Sequence, residues 1–137
     1  MDPDGTGRER CERRGGLGLA TLVRDRFGHL TPKNAETKAS LVTATVEVAG
    51  SARLWVNVDG LSQDAAVSIE LVDETDRPLP GYSGDSAAVI RQAGLRVPVV
   101  WKHGDRVHGL DQPFAVKITF EGNEAGSVKL YALYVGE

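Results

Sequence analysis

The sequence predicts an all-β protein, an antiparallel two-sheet β-sandwich of jelly-roll type with a disordered N-terminal segment. Three observations carry that expectation. Apolar residues recur at every second position in several runs, each run is strand-length and too short for a typical helix, and turn-forming residues separate the runs.

Residues 1–16 (MDPDGTGRERCERRGG) hold four arginines but no aliphatic side chain apart from Met1, so they have nothing to bury. They are expected to be a disordered linker or the end of a preceding domain, with the sandwich over residues 17–137. LGLATLV (17–23) reads as a short strand, and Arg24, Asp25, Arg26, Phe27 and Gly28 lead to a break at Thr31-Pro32. Over 41–48, Val42, Ala44, Val46 and Val48 are predicted to face inward, with Thr43, Thr45 and Glu47 outward. Leu54, Val56 and Val58 then alternate with Trp55 and Asn57, and Val67, Ile69 and Leu71 with Ser68 and Glu70. Val97, Val99 and Trp101 suggest a strand whose Pro98 marks an edge or bulge, since proline cannot donate to the ladder. Phe114, Val116, Ile118 and Phe120 form the next inward row, and 129–135 is the last strand. The six residues after Glu121 contain Gly122, Asn123 and Gly126, so the last two strands are expected to pair as a hairpin. Asp59-Gly60, the two prolines within 73–81 and Gly104-Asp105 supply further turns.

Composition narrows the function. A chain of 137 residues, 41% hydrophobic and 26% charged, is about one domain, able to bury roughly two thirds of its unfolded surface. Its single cysteine, Cys11, cannot form an internal disulfide. A net charge of -3 with the signs interspersed gives no footprint for nucleic acid or an anionic membrane. No run approaches the roughly 18 apolar residues of a membrane span, and residues 1–14 lack the apolar stretch of an export signal.

Motifs for chemistry are weak. GYSGD (81–85) approaches an esterase elbow, but Asp85 stands where the second glycine belongs. Gly16-Leu17-Gly18 lacks the third glycine of a dinucleotide loop. His103, Asp105, His108 and Asp111 share one loop without a strong metal-binding spacing, and the acidic turn at 73–76 lacks EF-hand spacing. Carboxylates cluster in turns, and no spacing singles out the acid pair that glycoside hydrolysis needs. Aromatic rings are the better candidates, because a flat ring can stack on a pyranose while Asp, Asn or Arg groups bond its hydroxyls. Trp55, Tyr82, Trp101, Tyr131 and Tyr134 are available, with Trp55 predicted on an outer face and Trp101 sharing a face with Val97 and Val99.

The runs GLGLATLVRDRFGHL (16–30), RLWVNVDG (53–60), VSIELVDETDRPLPGYSGD (67–85), LRVPVVWKHG (95–104), PFAVKITF and KLYALYV resemble the C-terminal β-sandwich of bacterial glycoside hydrolase-like proteins. In that family a β-propeller of the family 32 and 43 type precedes the sandwich. The resemblance spans nearly all of residues 16–137, while Ser86 and the stretch 87–94 depart from the family's wording. It implies a non-catalytic accessory module that packs on a catalytic β-propeller domain, in the same polypeptide or complex, and binds polysaccharide. Any glycosidase chemistry would then reside in that other domain. It also implies an extracellular or periplasmic location, and it calls for no cofactor, metal, nucleic acid or membrane. The ligand-binding candidates are Trp55, Tyr82, Asp85 and Trp101. Two alternatives stand beside this expectation: a free-standing lectin-like module using Trp55 or Tyr82, and a small metal-dependent hydrolase built on His103, His108, Asp105 and Asp111.

Overall fold

Leu54, Val56 and Val58 are buried on one face of a strand while Arg53 and Trp55 stand on the other, as alternation at a half-covered sheet requires. The computed structural model describes residues 17–34, 36, 38–108 and 110–137. The expected disordered segment 1–16, with Cys11, lies outside them. Among the described residues eight strands occur: β1 (Ser40–Val42), β2 (Ala52–Asp59), β3 (Ala66–Val72), β4 (Ala88–Ile90), β5 (Gly94–Pro98), β6 (Arg106–Val107), β7 (Ala115–Glu121) and β8 (Lys129–Gly136).

Two antiparallel four-stranded sheets result. The first has the order β1-β7-β3-β4; in the second, β2 carries β8 along one edge and β5 and β6 at different positions along the other. The chain changes sheet repeatedly, so the inner rows come from the whole length of the sequence. Val67, Ile69 and Leu71 from β3 and Val116, Ile118 and Phe120 from β7 meet Leu54, Val56 and Val58 from β2 in one core. The β-sandwich expected from the alternation is thus the fold of the chain.

Three local expectations change. The last two strands do not form a hairpin: β7 pairs with β1 and β3, while β8 pairs with β2 in the other sheet. With both edges of β7 occupied, the connection crosses the end of the sandwich. It inserts Ala125 and Val128 into the core through the 3₁₀ turn Ala125–Ser127. Gly122 makes this possible, because its φ is +99° and a Cβ there would collide with the Asp64 carbonyl.

The row predicted over 41–48 changes face midway. Leu41 pairs with Ile118 and Val42 with Lys117, but Val46 pairs with Phe114, so one extra residue lies between Thr43 and Val46. Leu41 and Thr43 therefore turn inward, Val42 is exposed, and inward facing resumes at Val46 and Val48. Thr43 anchors the slip by accepting the Val116 N–H on its hydroxyl at 3.0 Å.

The strand predicted over 17–23 is absent. Residues 17–23 carry no ladder, and the described N-terminal segment joins the second sheet by a backbone bridge at Leu30, which exchanges hydrogen bonds with Leu130 at 2.8 and 2.9 Å. Ahead of that bridge the segment is held by side chains.

Candidate functional site

Asn57 belongs to the outer row of β2, where the alternation predicts exposure, yet it is completely buried. Both neighbouring strands bulge beside it. On β8, Asn57 pairs with Ala132 and Val58 with Leu130, leaving Tyr131 as an extra residue. On β5, Val56 pairs with Val97 and Val58 with Gly94, so Leu95 and Arg96 together stand opposite Asn57. A bulge re-aims side chains and bends the strand. Here the two bulges bring Tyr131 and Arg96 to either side of one buried amide.

The N-terminal segment fills the space between them. Arg26 Nε donates to Asn57 Oδ1 at 3.0 Å, and Asn57 Nδ2 donates to the Arg24 carbonyl at 3.0 Å. Arg26 also bonds Asp59 at 3.2 Å and lies 4.6 Å from the Tyr131 ring centroid, while His29 meets that ring edge-on at 5.5 Å. Between the two arginines, Asp25 adopts φ +56°, a left-handed conformation that aspartate tolerates better than most residues. Its carboxylate accepts the Tyr134 hydroxyl at 2.6 Å. Residues 24–30 therefore form a strap across the outer face of the second sheet.

Trp55 stands next to this strap. Its cross-strand partner is Tyr134, and the Arg96 guanidinium lies 4.3 Å from the indole centroid and 5.9 Å from the Tyr134 ring. Such a stack contributes about 0.5–1 kcal/mol at an exposed position. A small cleft of about 80 Å³ opens here, lined by Arg24, Asp25, Leu95, Arg96 and Tyr134. Trp55 itself is half-buried, with Gly136 so close that a Cβ there would lie 3.3 Å from the indole.

The remaining predicted ligand residues do not join Trp55. Trp101 is 2% exposed and Tyr82 5% exposed, and both lie in the hydrophobic core, so neither offers an open ring face. They meet edge-on at 5.3 Å; the indole nitrogen donates to the Ile69 carbonyl at 3.3 Å. The Tyr82 hydroxyl donates to the His108 carbonyl at 3.3 Å and accepts the His108 N–H at 3.2 Å, fastening two loops together. Asp85 is exposed in the 3₁₀ turn Gly84–Ser86. Beside it, the Ser83 hydroxyl donates to the Leu71 carbonyl at 2.8 Å, an anchoring bond with no base attached.

The four residues weighed for a metal are also dispersed. His103 packs on Tyr82 at 4.9 Å, the His103 and His108 rings are 6.4 Å apart, and Asp105 faces Arg53 at 3.3 Å. Among the described residues no three His, Cys, Asp or Glu side chains gather as metal ligands. No described helix is long and apolar enough to cross a membrane.

A second surface feature is apolar. A groove of about 370 Å³ runs along the seam where β1 of one sheet and β8 of the other leave the sandwich open. Leu30, Leu41, Ile118, Leu130 and Leu133 line it, with His29 and Tyr131 beside them. Leu17, Leu19, Leu22, Val23 and Phe27, along the N-terminal segment that leads to Leu30, are all exposed.

No protein-family model, no curated protein and no solved structure matches the chain. What the residues can do must therefore be read from their arrangement. The outer face around Trp55 combines aromatic surface with guanidinium donors, and the seam offers an apolar surface of interface character. Sequence reasoning had Trp55, Tyr131 and Tyr134 among its aromatics but missed Arg96, Asp25 and Asn57. Their only sequence signal is that a polar Asn57 interrupts an otherwise strand-like RLWVNVD.

Proposed function

We propose that this chain is a non-catalytic accessory β-sandwich module of a glycoside hydrolase-like protein. In this reading it packs on a catalytic β-propeller domain, outside the cytoplasm, and binds polysaccharide on the face around Trp55. The observation that carries the reading is the apolar surface formed by Leu17, Leu19, Leu22, Val23, Phe27 and Leu30 together with the seam groove. Exposed apolar side chains repeated along a segment that leads to an apolar groove suit a contact surface. The strap fixes its C-terminal end rigidly to the sandwich through Asn57, which suits a segment that leads from one domain into another.

Polysaccharide binding rests on Trp55, Tyr134 and Arg96, an aromatic pair with a planar donor group on an exposed sheet face. The same cluster would serve a free-standing lectin-like module, in which case the apolar side chains of the N-terminal segment would have no neighbouring domain to cover.

The test begins with the DNA upstream of Met1. An open frame encoding propeller-like repeats supports the accessory-module reading, and an in-frame stop close upstream favours the lectin. Purified protein should be retarded in native gels containing a polysaccharide and should release no reducing sugar from it. Hydrolysis abolished by a single Asp or Glu substitution would overturn the proposal.

A further inference from the structure

We infer that the glycan this surface takes is acidic, with Arg96 receiving the carboxylate of a uronate residue; this rests on the polysaccharide-binding reading above. The starting point is what covers Trp55. A neutral pyranose is recognised by stacking its apolar face on an open indole, but the Arg96 guanidinium already lies over this ring at 4.3 Å. A ligand arriving here meets a guanidinium over the π-face.

That guanidinium is free. Arg96 is exposed, and among the described residues its side chain has neither an ion pair nor a hydrogen bond, whereas Arg26 is paired with Asp59 and Arg53 with Asp105. Seated 4.3 Å from the Trp55 ring centroid and 5.9 Å from that of Tyr134, the guanidinium offers N–H donors in the planar fork that matches a carboxylate. Stacking also restricts the long side chain before the ligand arrives, which lowers the entropy cost of binding.

The cleft beside it has matching size and charge. Its volume of about 80 Å³ has room for a small planar group with the sugar ring left outside. Arg24 pairs with Asp25 at 3.9 Å, and the same carboxylate oxygen accepts the Tyr134 hydroxyl at 2.6 Å, so the unpaired charge of the lining is that of Arg96. The site thus carries one positive charge in excess on a chain of net charge -3, so its attraction for a carboxylate is confined to about one Debye length, roughly 10 Å at 0.1 M salt.

The experiment is native affinity electrophoresis in gels containing polygalacturonate, a neutral arabinan or xylan, or polyphosphate, with wild type, Arg96→Ala and Arg96→Lys. Thermal melts check that the variants remain folded, as substitution of an exposed side chain should allow. The expected result is retardation of wild type by polygalacturonate, weakened about tenfold in Arg96→Ala. Arg96→Lys should recover only part of it, because a point charge lacks the planar fork. Polygalacturonate binding that both variants retain overturns the inference, as does equal retention by polyphosphate lost in the same variants. Retention only by the neutral polymers, unchanged or strengthened in Arg96→Ala, overturns the acidic specificity and leaves polysaccharide binding standing. Retention by none of the polysaccharides removes both.

Discussion

Arg26 Nε and Asn57 Oδ1 meet at 3.0 Å beneath the strap, and the same asparagine donates its amide to the Arg24 carbonyl. One fully buried side chain thus fastens two positions of a segment that has no ladder of its own ahead of Leu30. Replacing Asn57 by Ala leaves the Arg24 carbonyl and the Arg26 guanidinium without that partner in a partly buried site. The expected cost is about 1–3 kcal/mol. Because Arg24 and Arg26 are themselves tryptic sites, limited trypsin digestion of Asn57→Ala should cut the strap faster than in wild type. An unchanged cleavage rate and an unchanged urea midpoint would show that the strap is held by its contacts with Asp59, Tyr131, Tyr134 and Leu130.

Trp55 and Trp101 should part company on truncation. Trp101 lies in the core with its indole nitrogen bonded to Ile69, so Trp101→Ala removes a large buried ring and should cost about 3–5 kcal/mol. Trp55 is half-buried beneath Arg96, and Trp55→Ala should cost about 1–2 kcal/mol, near the centre of ordinary substitutions. Paired urea titrations decide the matter, and equal losses would mean that Trp55 is a core residue and a poor candidate for ligand contact.

Backbone fit gives a third expectation. Gly60 has φ +73°, and a Cβ there would collide with the Ser127 carbonyl. Gly60→Ala must therefore move the connection that carries Ala125 and Val128 into the core, and it should destabilise by more than about 1 kcal/mol. Gly126 lies in the same connection with open space around its would-be Cβ and no positive φ. Gly126→Ala should stay within about 0.5 kcal/mol of wild type. Calorimetric midpoints of the two variants provide the comparison.

The inner rows were legible because period two survives wherever pairing is regular: Leu54, Val56, Val58, Val67, Ile69, Leu71, Val116 and Ile118 all fill the core as alternation requires. Legibility ends at single-residue insertions. One extra residue before Val46 reverses the predicted facing of Val42, and the bulges at Tyr131 and Leu95-Arg96 assemble a site whose members are far apart in sequence. Nothing in a lone Arg96 announces that it will lie on Trp55, since that depends on register between strands and on the extra residue beside it. The hairpin expected at 122–127 fails for a related reason. A glycine-containing loop of six residues serves a crossover between sheets as well as a turn within one, and the occupied edges of β7 decide between them. Burial of Trp101 follows from the face it shares with Val97 and Val99, whereas that of Tyr82, in a turn, could not be read from ring type, because aromatic residues suit both cores and binding faces.

Asp73 links stability to pH. Its carboxyl is held below its ordinary value of 3.8, first by the Arg77 N–H and then by the Thr75 hydroxyl, both donating to the charged form. Its Oδ1 accepts the Arg77 N–H at 3.0 Å and the Thr75 N–H and hydroxyl at 2.8 Å each, closing the turn after β3. A depressed folded-state pKa means that the unfolded chain takes up the proton first as the solution is acidified. The stabilisation is therefore complete above the ordinary carboxyl value and disappears as pH falls through the folded one. Asp73→Asn keeps an acceptor oxygen but loses the charge. It should be less stable than wild type at neutral pH, and the gap should close below about pH 4. Taking the difference between the two proteins removes the other carboxyl groups, which titrate alike in both. Urea midpoints measured across pH 3 to 7 test this. A gap that stays constant on acidification would show that the turn depends on the shape of the side chain and not on its charge.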